Sequence, residues 1–160
     1  MASLMSRILK NSVLKGASVL EDSKVFAKKD AIISPVPAVN VAVSGEIDGG
    51  LGAGLFTIAA KSRHFKSNYA LMFASTYLKK YDDAVILFYD SEFGSPKAYF
   101  ESAGIDPSRV AHIPITNIEE LKFDIMNQLD DIELGDHVMI VIDSVGNLAS
   151  KKEVEDALKE

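Results

Sequence analysis

The chain has 160 residues, about the length of one domain, and its 48% hydrophobic and 25% charged residues favour a packed core and exclude global disorder. It contains no cysteine, which excludes disulfides and thiolate metal sites and fits a reducing cytoplasm. The net charge of −6 argues against strong nucleic-acid binding by this segment alone.

The first twenty residues carry serine, lysine and arginine, and no acidic residue precedes Glu21. This composition faintly resembles a mitochondrial transit peptide; the interpretation that we favour is an amphipathic helix from Ala2 to about Leu14. No apolar run approaches the roughly 18 residues of a transmembrane helix, so we expect no membrane contact. We expect a cytoplasmic protein.

Two segments rich in proline or glycine follow. "SPVPAVN", Ser34–Asn40, is predicted to break any helix because two prolines cannot lie in a helix interior. "SGEIDGGLGAG", Ser44–Gly54, is predicted to be turn or loop. The chain therefore divides into an N-terminal helical segment, 1–35, and a core, 36–160.

Strands and helices are predicted to alternate from residue 55 onward. The predicted strands are Leu55–Ala60, Ala84–Asp90, Val110–Ile115 and His137–Asp143. The first helix begins at Lys66 and has one apolar face with Leu71, Ala74, Leu78 and Tyr81, and the second is capped by Ser95, has Pro96 at its first position and is ended by Gly104. The third helix is capped by Asn117 with Glu120 and ended by Gly135, its inner face carries Ile118, Leu121, Ile125, Leu129 and Ile132, and a last helix follows the fourth strand. Because the strands are almost continuously apolar, this order predicts a parallel α/β sheet with right-handed crossovers.

The stretch "TIAAKSRHFKSNYA", Thr57–Ala70, has the layout of a phosphate-binding loop, G-x-x-x-x-G-K-[ST]. Ala60 and Phe65 stand where that pattern has glycine. Four basic residues nevertheless crowd into six positions, which in an acidic chain predicts an anion site: Lys61, Arg63, His64 and Lys66.

Acidic residues follow two of the other predicted strands. Asp90 and Glu92 come at the end of one, and Asp143 with Ser144 at the end of another. Ligands of parallel α/β folds bind at the carboxyl ends of the strands, and a Lys-Ser pair with neighbouring acids is what phosphoryl transfer requires. Each part alone also has a structural reading as a helix start, a cap or a solvated turn; their joint order favours the site.

Beyond these parts, the chain resembles the ATPase core of RecA-family recombinases, most closely the phage UvsX-type branch. The stretches that carry the resemblance lie between about Val36 and Leu158: "SGEIDGGLGAGL", "FKSN", "LFYDSEFGSPKAYFESAGIDPSRV", "MNQLD" and "IDSVGNLASKKEVEDAL". The resemblance implies a RecA-like P-loop ATPase core with a parallel sheet, C-terminally incomplete and preceded by an N-terminal helix. The chain would then be the N-terminal part of a recombinase, located in the host cell cytoplasm if it is encoded by a phage.

The resemblance also implies roles for individual residues. Lys66 would contact the β- and γ-phosphates of ATP, Ser67 would ligate Mg²⁺, and Asp143 would hold that ion through water. Glu92 would polarise the attacking water, so that Glu92 and Lys66 are the expected catalytic residues. The expected nucleotide-binding residues are the whole loop and one aromatic that stacks on adenine: Ala60, Lys61, Ser62, Arg63, His64, Phe65, Lys66, Ser67, Asn68 and Tyr99.

Of the two departures from the loop pattern, Phe65 matches the UvsX-type branch, whereas Ala60 does not. Glycine serves such loops by adopting positive φ and letting the backbone approach phosphate, so a residue with a side chain there costs on the order of 1–2 kcal/mol. We therefore expect a nucleotide site of reduced affinity.

The function implied is ATP-dependent homologous pairing and strand exchange on single-stranded DNA. The implied partners are further copies in a filament joined through the N-terminal segment, single-stranded DNA bound mostly through segments absent here, and phage single-strand-binding and mediator proteins. Because those segments are absent, we expect the isolated chain to be nearly inactive as a DNA-dependent ATPase. Two alternatives remain: a non-hydrolysing interface fragment that binds recombinase protomers, and a RecA-like helicase core, against which "YFESAGIDPSRV" argues.

The resemblance finally implies a strand order. The strands at 110–115, 84–90 and 137–143 would lie side by side, in that order. The strand at 55–60 would lie one position away, beyond a gap that a later part of the protein fills. Since unpaired strand edges are unfavourable, we expect low stability and a distorted site.

Overall fold

A computed structural model describes residues 3–14, 16–22, 31–157 and 159. The helices are α1 (Leu4–Asn11), α2 (Pro37–Ser44), α3 (Lys66–Lys80), α4 (Lys97–Ser102), α5 (Ile118–Asp131) and α6 (Lys151–Ala157). The strands are β1 (Val85–Asp90), β2 (Val110–Pro114) and β3 (Val138–Asp143), and short 3₁₀ turns lie at Leu20–Asp22, Pro107–Arg109 and Val145–Asn147. The fold is mixed α/β.

The sheet has three parallel strands in the order β2–β1–β3. Asp90 at the end of β1 lies in register with Pro114 on one side and with Asp143 on the other. The predicted order of these three strands is therefore confirmed, and their carboxyl ends meet at one edge of the sheet.

The predicted strand at 55–60 is wrong. These residues form no regular element, and the Leu55 side chain is 97% exposed. A strand needs a neighbouring strand for its backbone N–H and C=O groups, and among the described residues no strand pairs with this segment. The segment contacts α3 through Phe56, whose ring packs edge-to-face against the ring of Phe73 with the ring centroids 6.0 Å apart.

Helices cover both faces of the sheet. On one face, Leu71, Ala74 and Leu78 of α3 pack with Ile86 and Phe88 of β1. On the other face, a second cluster combines side chains of β1, of the residue that follows β2 and of α5: Tyr89, Ile115 and Leu121, with Ile118 and Ile125 half-buried beside them. The alternation of β1 side chains between the two clusters is what a strand buried on both faces requires. Each fully buried large side chain contributes about 1.5–3 kcal/mol.

The apolar side chains predicted to face the core are buried in the central turns of the helices. Leu71, Ala74 and Leu78 of α3 are buried, whereas Leu129 near the end of α5 is exposed, contrary to its predicted place on the inner face. Tyr89 ties α5 to the sheet, because its hydroxyl donates a hydrogen bond to Asp124 Oδ2 at 2.6 Å.

The starts of α2 and α4 differ from the sequence-based expectation, and the start of α5 agrees with it. Pro37 is the first residue of α2, so the segment Ser34–Asn40 is half helix; proline is tolerated there because its missing N–H would have no helical partner. Pro96, with extended ψ of 158°, takes the cap position of α4 that was predicted for Ser95. Asn117 caps α5 as predicted by accepting from the Glu120 N–H, and the Glu120 carboxylate accepts from Thr116.

The N-terminal part joins the core through a short antiparallel bridge between Ile32 and Leu51. Gly50 beside it is required, because a Cβ there would lie 2.3 Å from the Ile32 carbonyl oxygen. The Lys80 ammonium of α3 donates to the Ala31 carbonyl at 2.7 Å. Within the described ranges, no helix is both long enough and apolar enough to cross a membrane.

Candidate functional site

An open cleft of about 360 Å³ lies at the carboxyl edge of the sheet, where α3 begins. Its wall is formed by side chains and backbone from four places in the chain: Ser67, Glu92, Gly94, Ser95, Pro96, Tyr99 and Asp143. Four of the residues predicted from the sequence to form a site are thereby brought together: Ser67, Glu92, Tyr99 and Asp143.

Ser67 and Asp143 touch at the base of the cleft. Ser67 lies in the first turn of α3, Asp143 ends β3, and the serine hydroxyl donates a hydrogen bond to Asp143 Oδ2 at 2.5 Å. Both residues are half-buried. A hydroxyl and a carboxylate oxygen this close form a set of hard oxygen donors beside the N–H groups that begin α3.

Glu92 lies on the loop between β1 and α4, with its side chain exposed to the cleft. Its Oε1 accepts a hydrogen bond from the Ser144 hydroxyl at 3.1 Å. The peptide bond between Asp143 and Ser144 is cis. The hydrogen bond from Ser144 places the Glu92 carboxylate beside the end of β3.

Asp90 was predicted to lie at this rim, but its side chain is buried, only 1% of the residue being exposed. Its Oδ1 accepts hydrogen bonds from the backbone N–H groups of Glu92 at 2.9 Å and Phe93 at 2.7 Å. Its Oδ2 lies 3.1 Å from Nε2 of His112 on β2. Asp90 thus shapes the turn that carries Glu92 and does not line the cleft itself.

Tyr99 of α4 also lines the cleft and is half-buried. Burial raises the pKa of its hydroxyl, and the negative charge of Asp143 raises that pKa further. The ring stays neutral at physiological pH and offers a flat apolar face with one polar tip.

The loop before α3 does not join the cleft wall. Its side chains are exposed: Ala60, Lys61, Ser62, Arg63, His64 and Phe65, as is Asn68 in α3. Lys66 is half-buried at the start of α3 and likewise does not line the cleft. His64 Nδ1 lies 2.9 Å from the Ser62 carbonyl oxygen, so part of the loop is held locally.

Left-handed backbone in this loop falls at Arg63, with φ of 63°, and at Phe65, with φ of 59°. Ala60 is not among the residues with positive φ. The position where the missing glycine imposes strain is therefore Phe65, immediately before the helix, and not Ala60 as the sequence suggested. A side chain in this conformation costs about 1–2 kcal/mol.

Within the part of the chain that the structure describes, no group of three or more histidine, aspartate or glutamate side chains is placed to hold a metal ion. The donors at the base of the cleft are one carboxylate and one hydroxyl. That set fits Mg²⁺ better than a metal that needs a complete protein cage, because Mg²⁺ keeps several waters and shares its remaining positions with phosphate.

Three contacts of the site were not predicted. They are the His112–Asp90 contact, the Ser144–Glu92 hydrogen bond and a pair of hydrogen bonds between Ser91 and the Ser144 backbone. The sequence does place Ser91 and Ser144 after apolar strands, and residues after neighbouring parallel strands are expected to meet. Its position after an apolar strand therefore places Ser91 near the site, but it does not specify the hydrogen bonds.

The chain is similar to a known protein of a bacteriophage. The chain is 51% identical over 160 residues to the "Recombination and repair protein" of Enterobacteria phage T4. The match covers all of this chain and 41% of that protein, so the chain spans about two fifths of the relative's length. No family model matches the chain.

These findings correct the family assignment made from the sequence. The match is to a recombination and repair protein, and neither it nor any family model shows a RecA family or a UvsX-type branch. The structure adds a physical reason, since the strand that should lead into the phosphate loop of such a core is not formed at 55–60. The short stretches that suggested the assignment do not suffice to show a specific family.

Proposed function

We propose that the chain carries a Mg²⁺-dependent ATP site at the carboxyl edge of its sheet and serves DNA recombination and repair as part of an ATP-dependent recombinase that pairs and exchanges DNA strands. The observation that carries the nucleotide site is the 2.5 Å contact between Ser67 and Asp143, with Glu92 and Tyr99 in the same cleft. The role in recombination rests on the 51% identity with the phage T4 protein of that name.

The charges support phosphate at the start of α3. The first N–H groups of a helix have no helical partner and attract anions, and Lys66 and the exposed basic residues of the loop add positive charge there. The left-handed residues at 63 and 65 turn successive N–H groups out of a regular helix, a geometry that proteins use for anion-binding concavities.

Ser67 and Asp143 are the residues that would hold Mg²⁺, which supplies charge neutralisation on the phosphates when it is bound. Asp143 keeps the ion side of the cleft negative, and Ser67 contributes its hydroxyl. Glu92 lies where it can accept a proton from, or orient, a water at the cleft mouth. Tyr99 provides a face for stacking of the adenine ring. Single-stranded DNA, filament neighbours and phage single-strand-binding and mediator proteins are proposed partners of the whole protein.

Isothermal calorimetry with ATP and Mg²⁺ tests the site. Lys66→Ala removes the cation nearest the start of α3 and is expected to weaken binding at least tenfold, because a charge-assisted phosphate contact is lost. Lys122→Ala, which removes an exposed lysine of α5, is the matched control and should bind as the wild type does. Equal affinity of wild type and Lys66→Ala would remove the loop from the proposed site.

Self-association through α1 is a second proposal with its own observation. In the described chain no side chain of α1 is buried, and Leu4, Met5 and Ile8 are all more than half exposed. A helix of eight residues is too short to be stable alone in water. Its apolar side is therefore proposed to pack on a second copy of the chain.

A further inference from the structure

Ser91 follows β1 directly, and its side chain forms hydrogen bonds with the backbone of Ser144, which follows the neighbouring strand β3. Its hydroxyl donates to the Ser144 carbonyl oxygen at 2.7 Å and accepts from the Ser144 N–H at 2.9 Å. The Ser91 N–H also donates to the Asp143 carbonyl oxygen at 2.9 Å. Ser91 thus extends the pairing of β1 with β3 by one residue, with a side chain in place of a strand.

Ser144, held in this way, contacts the candidate water-activating group. Its hydroxyl donates to Glu92 Oε1 at 3.1 Å. The backbone of Glu92 is held separately, because its N–H donates to the buried carboxylate of Asp90. The glutamate is therefore fixed at its backbone by one residue and at its carboxylate by another.

An exposed glutamate has three rotatable side-chain bonds and samples many rotamers unless something holds it. A group that orients water must be fixed to within about 0.5 Å of its productive position, and such fixing comes from residues behind it. The Ser144 hydroxyl can hold the carboxylate only while its own backbone is fixed, and two of the hydrogen bonds that fix it come from Ser91.

We propose that Ser91 is a positioning residue for Glu92, acting through Ser144. It rests on the proposed function, since it assumes that Glu92 orients the attacking water. Ser91 does not line the cleft, so it is expected to affect the hydrolytic step and not the binding of nucleotide.

The test is single-turnover hydrolysis of γ-labelled ATP with the full chain in excess, which measures slow rates, together with calorimetric affinity for ATP and Mg²⁺. Ser91→Ala is expected to lower the rate constant about tenfold, toward the value of Glu92→Gln, and to leave the affinity within about twofold. Ser91→Thr keeps the hydroxyl and should restore most of the rate. Ser102→Ala, which loses one hydroxyl bond within α4, is the matched control and should hydrolyse as the wild type does.

The double variant Ser91→Ala/Glu92→Gln should be no slower than Glu92→Gln, because both changes remove the same effect. Amide hydrogen exchange at Ser144 gives a readout independent of turnover: protection is expected in wild type and Ser91→Thr and lost in Ser91→Ala. If Ser91→Ala does not fold, Ser144→Ala removes only the hydroxyl that reaches Glu92 and should give the same loss of rate.

The outcomes separate the two proposals. A Ser91→Ala rate equal to wild type, while Glu92→Gln is slow, overturns the positioning role and leaves the proposed function standing. Protection of the Ser144 amide in Ser91→Ala also overturns it. A wild-type rate no higher than that of Glu92→Gln overturns the role of Glu92 itself, and the positioning role with it.

Discussion

The Ser67 hydroxyl donates a hydrogen bond to Asp143 Oδ2 at 2.5 Å, although the two residues are 76 positions apart in the chain. Ser67 is brought there by α3, whose Leu71, Ala74 and Leu78 pack on the sheet, and Asp143 by its place at the end of β3. The packing of one helix on one face of the sheet thus sets the geometry of the cleft, without a strand at 55–60 beside it.

Phe65 is predicted to lower the stability of the chain. Its φ of 59° is unfavourable for any side chain, and because the ring is 69% exposed, little burial is lost on replacing it. Phe65→Gly should raise the free energy of unfolding by about 1 kcal/mol, the relief of left-handed strain less the greater flexibility of glycine in the unfolded chain. Urea denaturation measures the change.

Asn68→Gly is the control for this prediction. Asn68 is exposed in the first full turn of α3, where glycine relieves no strain and is expected to be neutral or destabilising. A Phe65→Gly variant that is as stable as wild type or less so would show that the loop accommodates the aromatic residue without cost.

The stability of the chain is predicted to fall at acidic pH, in part because Glu120 loses the charge that its hydrogen bonds stabilise. The N–H and hydroxyl of Thr116 donate to its carboxylate at 2.9 and 2.8 Å, and these bonds hold the pKa of Glu120 below its ordinary value. A lowered folded pKa contributes stability above the unfolded pKa of about 4.3, and that contribution is lost as the pH falls through the folded pKa. The hydrogen bond with His137 likewise lowers the pKa of Asp83.

Thermal melts of wild type and Glu120→Gln between pH 7 and pH 3 check this expectation. Wild type should melt higher at neutral pH, and the difference should shrink below about pH 4. Glu155→Gln removes one exposed negative charge of α6 and controls for net charge. A difference that stays constant across the range would show that the carboxylate charge is not what Thr116 stabilises.

The exposed side of α1 is predicted to mediate self-association. Ile8→Asp places a charge among Leu4 and Met5 and should reduce any concentration-dependent association seen by sedimentation equilibrium. Ser6→Asp adds the same charge on a serine near the start of the helix and should associate as wild type does. Equal association of wild type and Ile8→Asp would place the interface elsewhere.

The sequence predicts the three observed strands because each is a mainly apolar run; the central strand β1 is also buried on both faces, as Ile86, Phe88 and Tyr89 show. It fails at 55–60, where the run is equally apolar, because a strand depends on a partner that periodicity does not reveal. Composition alone cannot distinguish the two cases.

The sequence likewise predicts the residues of the candidate site but not all of their contacts. Ser67, Glu92, Tyr99 and Asp143 were predicted to form a site, and the structure brings them to one cleft. The contacts of Asp90 with His112 and of Ser91 with Ser144 join residues 22 and 53 positions apart, and their polar geometry depends on strand register. Register follows from the folded sheet, and no local pattern specifies it.

Asp143 and Ser67 are proposed to make nucleotide binding depend on Mg²⁺, and this dependence is measured most directly as the ATP affinity with Mg²⁺ and with EDTA. Wild type should bind at least tenfold more tightly with Mg²⁺, and Asp143→Asn should reduce that ratio to about one while leaving the EDTA value nearly unchanged. Asp130→Asn, an exposed aspartate of α5, should keep the wild-type ratio. Equal wild-type affinity under the two conditions, or a ratio unchanged in Asp143→Asn, would show that these residues do not hold Mg²⁺ for nucleotide binding.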